Sequence, residues 1–285
     1  MKQTHKAHQD AEKSEKFAHK KSLGQNFLTS DVVPTWLCTA GEVSAGDIIL
    51  EIGPGTGALT KILLATGAHI IALEADARAI TILEGLFVQE IATGKLTLIH
   101  GDARELSVTT LGLRDKEFKV VANIPYYLSG FLLRTLLENP IQPTTLVFLM
   151  QKEVVERIAR DPKESILSLS VKAFGVPKYV KTVTRGHFNP KPAINSAILQ
   201  ITGVTSSNFA SDSEKDLFFT LLHLGFGQKR KQLLSNFTHS YDRQLLTDLF
   251  TTIGIKLDAR AETIPLTTWL TLTKELQSIT PLPPK

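Results

Sequence analysis

An α/β fold is predicted for this chain of 285 residues: a mostly parallel seven-stranded sheet, helices on both its faces, and a small all-α C-terminal domain. Three observations carry the expectation. Short apolar runs of strand length alternate with stretches of helical spacing from residue 47 to about 202, the rhythm that builds parallel sheets. The first run ends in a glycine turn, Gly53-Pro54-Gly55-Thr56-Gly57, a device that open α/β sheets place at a strand's carboxyl end. Beyond residue 210 only helical spacing remains.

Taken in order, residues 1–20 mix Lys, His, Glu and Gln with few apolar positions and read as a mobile basic tail. Residues 21–204 form the main domain. Asp47–Ile52 is an apolar run leading into the glycine turn, hence a buried strand, and Ala58–Thr66 is the helix after it, closed by Gly67. His69–Glu74 is a second strand, Ala77–Ile91 a helix, and Leu96–His100 a third strand. Phe118–Ala122 and Thr145–Met150 are strands separated by a helix at Ser129–Glu138, and Gln151–Arg160 is again helical. Tyr179–Thr184 and Ala197–Thr202 complete the seven, joined through the Pro-rich Phe188-Asn189-Pro190-Lys191-Pro192. Ser206–Ser213 reads as a linker. Residues 211–280 then carry helices at Leu217–Leu224, Lys231–Phe237, Arg243–Ile253 and Pro265–Leu276.

Composition narrows the class. Apolar content of 42% and charged content of 21% suit an ordinary soluble globular protein. No apolar run approaches the roughly 20 residues of a membrane helix, so no membrane role is expected. The N-terminus lacks a secretory h-region, and the single cysteine, Cys38, fits a reduced cytoplasmic setting. Net charge is only +4, but no acidic residue occurs between Glu164 and Asp212, where Lys172, Lys178, Lys181, Arg185 and Lys191 fall. Lys229-Arg230-Lys231 forms a second basic cluster and the tail a third. Any one cluster reads as solvated lysines; together they favour a polyanion, bound mainly through phosphates.

The glycine turn brings backbone close to a ligand, and by itself leaves a dinucleotide and a nucleoside sulfonium equally open. Two neighbours argue against pyrophosphate. Pro54 removes an N–H donor from the loop, and Glu51 puts negative charge where a diphosphate would lie, a charge suited instead to an amino acid's ammonium. Glu74 ends the second strand, where an acid can accept from ribose hydroxyls. Asp102 follows the third, placed to accept from an adenine amino group. After the fourth strand, Asn123-Ile124-Pro125-Tyr126 supplies what methylation of an exocyclic amine requires. The Asn123 oxygen and a carbonyl of Ile124 or Pro125 can accept both N–H bonds, Pro125 stiffens the turn, and Tyr126 offers a ring to the base. In this order the set Glu51, Gly53, Gly55, Glu74, Asp102 and Asn123 specifies S-adenosylmethionine (SAM) as methyl donor and an adenine as acceptor. No general base is required, because a sulfonium leaving group makes the displacement favourable, and no metal is expected.

Over about residues 20–275 the chain resembles the ribosomal RNA adenine dimethyltransferase family, in particular its bacterial small-subunit (KsgA, or RsmA) type. The resemblance is carried by Lys21-Ser22-Leu23-Gly24-Gln25-Asn26-Phe27-Leu28, by the motifs above, by Gln151-Lys152-Glu153-Val154, by Phe188–Ser196, by Gly227–Lys231, and by Arg260-Ala261-Glu262. It implies a class I SAM-dependent, Rossmann-like fold, with Asn26 and Leu28 added to the donor site and Phe188 closing on the target base opposite Tyr126. It further implies dimethylation at N6 of two adjacent adenosines near the 3′ end of 16S rRNA in the small ribosomal subunit, by a protein expected to be a monomer. Lys191, Lys229, Arg230 and Lys231 would then meet RNA. Ile124 replaces the commoner Leu, Ile194-Asn195 replaces Val-Asp, and Asp161–Leu167 departs from the family pattern. The antibiotic-resistance methyltransferases of 23S rRNA share the donor and clamp motifs, but the Gln228–Lys231 segment favours the small-subunit type. A non-catalytic nucleic-acid-binding relative would not need the intact acids and Asn123, and a nicotinamide oxidoreductase would need neither Pro54 nor the clamp.

Overall fold

The computed structural model describes residues 27–279. The tail and Asn26 lie outside the described residues. Among those described, the strands are β1 (Phe27–Leu28), β2 (Ile48–Ile52), β3 (His69–Glu74), β4 (Leu96–His100), β5 (Lys119–Asn123), β6 (Thr145–Gln151), β7 (Val176–Val183), β8 (Phe188–Asn189) and β9 (Ser196–Thr202). Seven of them form one sheet in the order β4-β3-β2-β5-β6-β9-β7. Pairings from β4 through β6 are parallel, and β9 runs antiparallel to both its neighbours. Strand order reverses between β2 and β5, which makes their carboxyl ends the switch point where such sheets hold ligands.

The α-helices are α1 (Val32–Ala40), α2 (Ala58–Ala65), α3 (Ala77–Leu86), α4 (Val88–Ala92), α5 (Ser129–Leu137), α6 (Lys152–Ala159), α7 (Ile166–Lys172), α8 (Asp212–Phe226), α9 (Leu233–Phe237), α10 (Arg243–Ile253) and α11 (Leu266–Ile279). Successive strand residues point to opposite faces, and the two cores divide accordingly. Ile49, Val121, Val147, Leu149 and Ile198 pack with Val33, Leu37, Leu59, Leu63 and Leu83 on one face. Leu50, Val120, Ala122, Leu146, Phe148 and Met150 pack with Leu132 and Leu136 on the other, in a cluster that continues into Phe218, Phe237, Phe250 and Trp269 of the C-terminal helices.

Several expectations need correction. The single helix over Ala77–Ile91 is broken at Phe87 (φ −117°, ψ 37°), whose ring lies against Gly57, at 2.8 Å from where a Cβ would stand. The segment Ser206–Ser213 is no free linker. Phe209 packs at 5.5 Å from Phe174 and 5.3 Å from Phe218, and the Ser211 hydroxyl caps α8 by accepting from Glu214 N–H. Helices α1 and α7 were not foreseen. In α7 the Ser165 and Ser168 side chains cap each other's backbone N–H, an arrangement with Ser where the familiar pattern has Glu.

Candidate active site

The carboxyl ends of β2, β3, β4 and β5 open into one cleft of about 980 Å³, its mouth included. Leu28, Glu51, Gly53, Gly55, Glu74 and Asp102 line it together with Asn123, Pro125 and Tyr126. The strand register accounts for this convergence. Glu74 pairs with His100 just before Asp102, and Asn123 pairs with Leu149 across β6.

The glycine loop is fixed from within. Gly53 N–H donates to Leu73 O at 2.9 Å and Gly57 N–H to Pro54 O at 2.9 Å. Gly55, at φ +58°, donates its N–H to Glu74 Oε2 at 3.0 Å, and a Cβ there would stand 2.8 Å from the Phe27 ring. That N–H is therefore engaged by a carboxylate rather than presented to a phosphate. Glu74 also accepts from Asp76 N–H through Oε1 at 2.8 Å. Its carboxylate thus ties the loop after β2 to the turn after β3.

Glu51 is almost wholly buried. Its Oε2 accepts from Thr60 Oγ1 at 2.7 Å, and Oε1 has no hydrogen-bond partner. Burial pushes its carboxyl up to about 8, with the negative charge of Glu74 adding to the effect. A buried acceptor without a donor is costly. A primary ammonium set against Oε1 would supply both the donor and the countercharge, so the residues present fit the amino-acid end of SAM. Cys38 is buried nearby, and burial pushes its thiol up to about 12 with the Glu51 charge contributing, which leaves it inert.

Asp102 accepts from Arg104 N–H at 2.8 Å, and the Arg104 guanidinium engages both carboxylate oxygens. These bonds hold the Asp102 carboxyl below its ordinary value. The acid is present at the expected strand end, but an adenine amino group would have to share it with Arg104. On the opposite side, Pro125 O accepts from Leu128 N–H at 3.0 Å and Tyr126 O from Ser129 Oγ at 2.9 Å. The Tyr126 hydroxyl meets Ser196 Oγ at 2.8 Å, and burial raises its pKa.

Phe188 stands elsewhere. Its backbone pairs with Leu28 in the β1·β8 ladder, while its side chain is 2% exposed within the sheet core and forms no part of the cleft wall. Lys191, Lys229, Arg230 and Lys231 are exposed, the last three in the turn between α8 and α9. Among the described residues no group of three or more His, Cys, Asp or Glu is placed to hold a metal, and no helix is long and apolar enough to cross a membrane.

Thr60, Arg104, Tyr127 and Ser196 were missed. Thr60 carried a signal, one turn into the helix after the glycine loop and so facing back at Glu51. Ser196 sat in a quoted motif without a role, because its partner lies across the sheet.

Comparison with known proteins identifies the relatives. The family described as "Ribosomal RNA adenine dimethylase" matches residues 16–278. The chain is 35% identical over 259 residues to "Ribosomal RNA small subunit methyltransferase A" of Dehalococcoides mccartyi (strain CBDB1), spanning 90% of this chain and 88% of the relative. It is 34% identical over 269 residues to the protein of the same name from Chlamydia trachomatis serovar L2, spanning 91% and 93%. A solved dimethyladenosine transferase from Plasmodium falciparum superposes with a TM-score of 0.76 at 25% identity, over 88% of this chain and 98% of that one. The 23S rRNA methyltransferase ErmE, at 20% identity and a TM-score of 0.68 over 88% and 100%, shares the fold. Matched from residue 16 to residue 278, with the cleft at the sheet's switch point, the chain belongs to the ribosomal RNA adenine dimethylase family.

Proposed function

We infer that this protein is a SAM-dependent rRNA adenine dimethyltransferase that modifies 16S rRNA of the small ribosomal subunit, working as a cytoplasmic monomer on two adjacent adenosines near the RNA's 3′ end. One observation carries the reading: the glycine-loop acids and the Asn123–Tyr126 turn open into the same cleft from opposite sides of the switch point. Donor and acceptor can therefore meet.

Bound SAM supplies an electrophilic methyl carbon on a positively charged sulfur. The chain's own residues do the rest. Glu51 would hold the donor's ammonium, Glu74 its ribose hydroxyls, and Asp102 its adenine amino group while sharing its oxygens with Arg104. The target adenine is splayed out of its RNA and laid on Tyr126. Asn123 Oδ1 accepts one N6–H bond. The Ile124 carbonyl suits the second, since Pro125 O is already engaged by Leu128 N–H. Accepting both N–H bonds draws the nitrogen lone pair out of ring conjugation and toward the methyl carbon. The N6 ammonium formed on transfer sheds its proton to solvent without a dedicated base. After two transfers no N–H bond remains, which ends the reaction. Exposed Lys191, Lys229, Arg230 and Lys231 would hold the RNA through its phosphates.

Incubation with labelled SAM and undermethylated small subunits, followed by mapping of modified adenosines, tests the reading. Label at two neighbouring 16S adenosines is expected, with transfer severely reduced in Asn123→Ala while donor binding persists. Label confined to 23S rRNA, or wild-type turnover by Asn123→Ala, would refute it.

A further inference from the structure

The segment that follows the base clamp exposes one side to solvent, along which Arg134 pairs with Glu138 at 3.1 Å and lies over the Phe219 ring. Tyr126–Leu128 form a 3₁₀ turn that runs directly into α5, so residues 127, 130, 131 and 134 share one side at helical spacing. All four are exposed: Tyr127 at 57%, Phe131 at 42%, and Gly130 and Arg134 between and beyond them. A Cβ on Gly130 would meet nothing within 4 Å, so the space between the two aromatic positions is open. Single exposed apolar side chains are ordinary. Two large aromatics at i and i+4, the first of them in the cleft wall, place exposed apolar surface at the door of the candidate site. Tyr127 itself lines the cleft. Arg104 lies within electrostatic reach of Tyr127, and the Arg104 and Arg134 side chains are 66% and 60% exposed.

We propose that Tyr127 and Phe131 form a stacking platform for the nucleotide next to the adenosine being methylated, with Arg104 close to its backbone. The proposal rests on the function inferred above. An adenosine pulled into the cleft leaves its neighbour unstacked, and that neighbour is one phosphodiester away from Tyr126. Tyr127 is the next residue of the same turn. Every base has a π-face, so an aromatic platform accepts either adenosine of an adjacent pair as the one waiting while the other reacts.

The test is methyl transfer by the full-length protein to undermethylated small subunits, with S-adenosylhomocysteine binding measured in parallel. Tyr127→Ala is expected to raise the RNA KM about 5- to 100-fold, the loss of one stacked base, with S-adenosylhomocysteine bound as in the wild type. Tyr127→Trp should restore the KM, and Phe131→Ala should also raise it. On a synthetic RNA carrying an abasic site beside the target adenosine, wild type should fall to the Tyr127→Ala level and the variant should lose nothing more. An unchanged KM for Tyr127→Ala on a fully active wild-type background overturns the platform alone, as does an equal Tyr127→Ala loss on intact and abasic RNA. A wild type that transfers no methyl group to adenine overturns the function and the platform together.

Discussion

The Tyr126 hydroxyl lies 2.8 Å from the Oγ of Ser196, joining the turn after β5 to the first residue of β9. Ser196 is fully buried and its backbone position pairs with Gln151 of β6. The oxygen is thus fixed by the sheet, and it tethers the tip of the Tyr126 ring, proposed above to receive the base. Ser196→Ala should slow methyl transfer about 3- to 10-fold, the worth of one neutral hydrogen bond, and Ser196→Thr should recover part of it. In a Tyr126→Phe background Ser196→Ala should cost nothing further. A loss that persists there would mean that Ser196 acts through packing, not through Tyr126.

Glu51 makes stability and donor binding depend on pH. Folded, its carboxyl titrates at about 8; in the unfolded chain it titrates at about 4.3. Its contribution to ligand-free stability is full below the lower value and is lost as pH rises through the higher one. Melting curves from about pH 5 to 9 should show the wild type losing ground to Glu51→Gln over that window. Parallel curves would show that the acid is ionised throughout. An ammonium at Oε1 would also require ionised Glu51, so calorimetry near neutral pH in buffers of different ionisation enthalpy should reveal proton release on SAM binding.

Arg104 competes for Asp102. Removing it as Arg104→Ala should tighten S-adenosylhomocysteine binding a few-fold, because the carboxylate no longer has to share its oxygens. Weaker binding in a titration would place Arg104 on the donor instead.

Gly57 stands at φ +83°, and a Cβ there would lie 2.8 Å from Phe87 and 3.0 Å from Leu83. Gly57→Ala combines a left-handed backbone with a clash into buried side chains, and should cost about 2 kcal/mol or more in denaturant unfolding. A variant as stable as the wild type would mean that Phe87 yields freely.

Exposed Lys229, Arg230 and Lys231 should contribute to RNA affinity through phosphates. Replacing all three by Glu should weaken subunit binding and flatten its logarithmic salt slope by at least about 2. Unchanged binding would remove this turn from the interface.

The sheet was legible because its signals are local. A strand such as His69–Glu74 is written around the apolar run Ile70–Leu73, and the glycine turn and Asn123–Tyr126 mark where their strands stop. The acids were legible for the same reason: Glu51, Glu74 and Asp102 sit at or beside strand ends. What escaped depends on contacts distant in sequence. The break at Phe87 exists because Gly57 leaves room for that ring, and no periodicity within residues 77–91 records it. The two-residue strands Phe27–Leu28 and Phe188–Asn189 are too short to have a pattern and exist only through each other. Arg104 lies two residues from Asp102, yet nothing in Asp102-Ala103-Arg104 says that the guanidinium folds back onto the acid.

That miniature ribbon has a mechanical meaning. Phe27 and Leu28 line the cleft, and their backbone partners Asn189 and Phe188 lead into the Pro-rich segment preceding Ser196, the anchor of Tyr126. A guest that presses on either end therefore tugs the same short clasp. The two reactants should then be held more firmly together than their separate affinities would suggest.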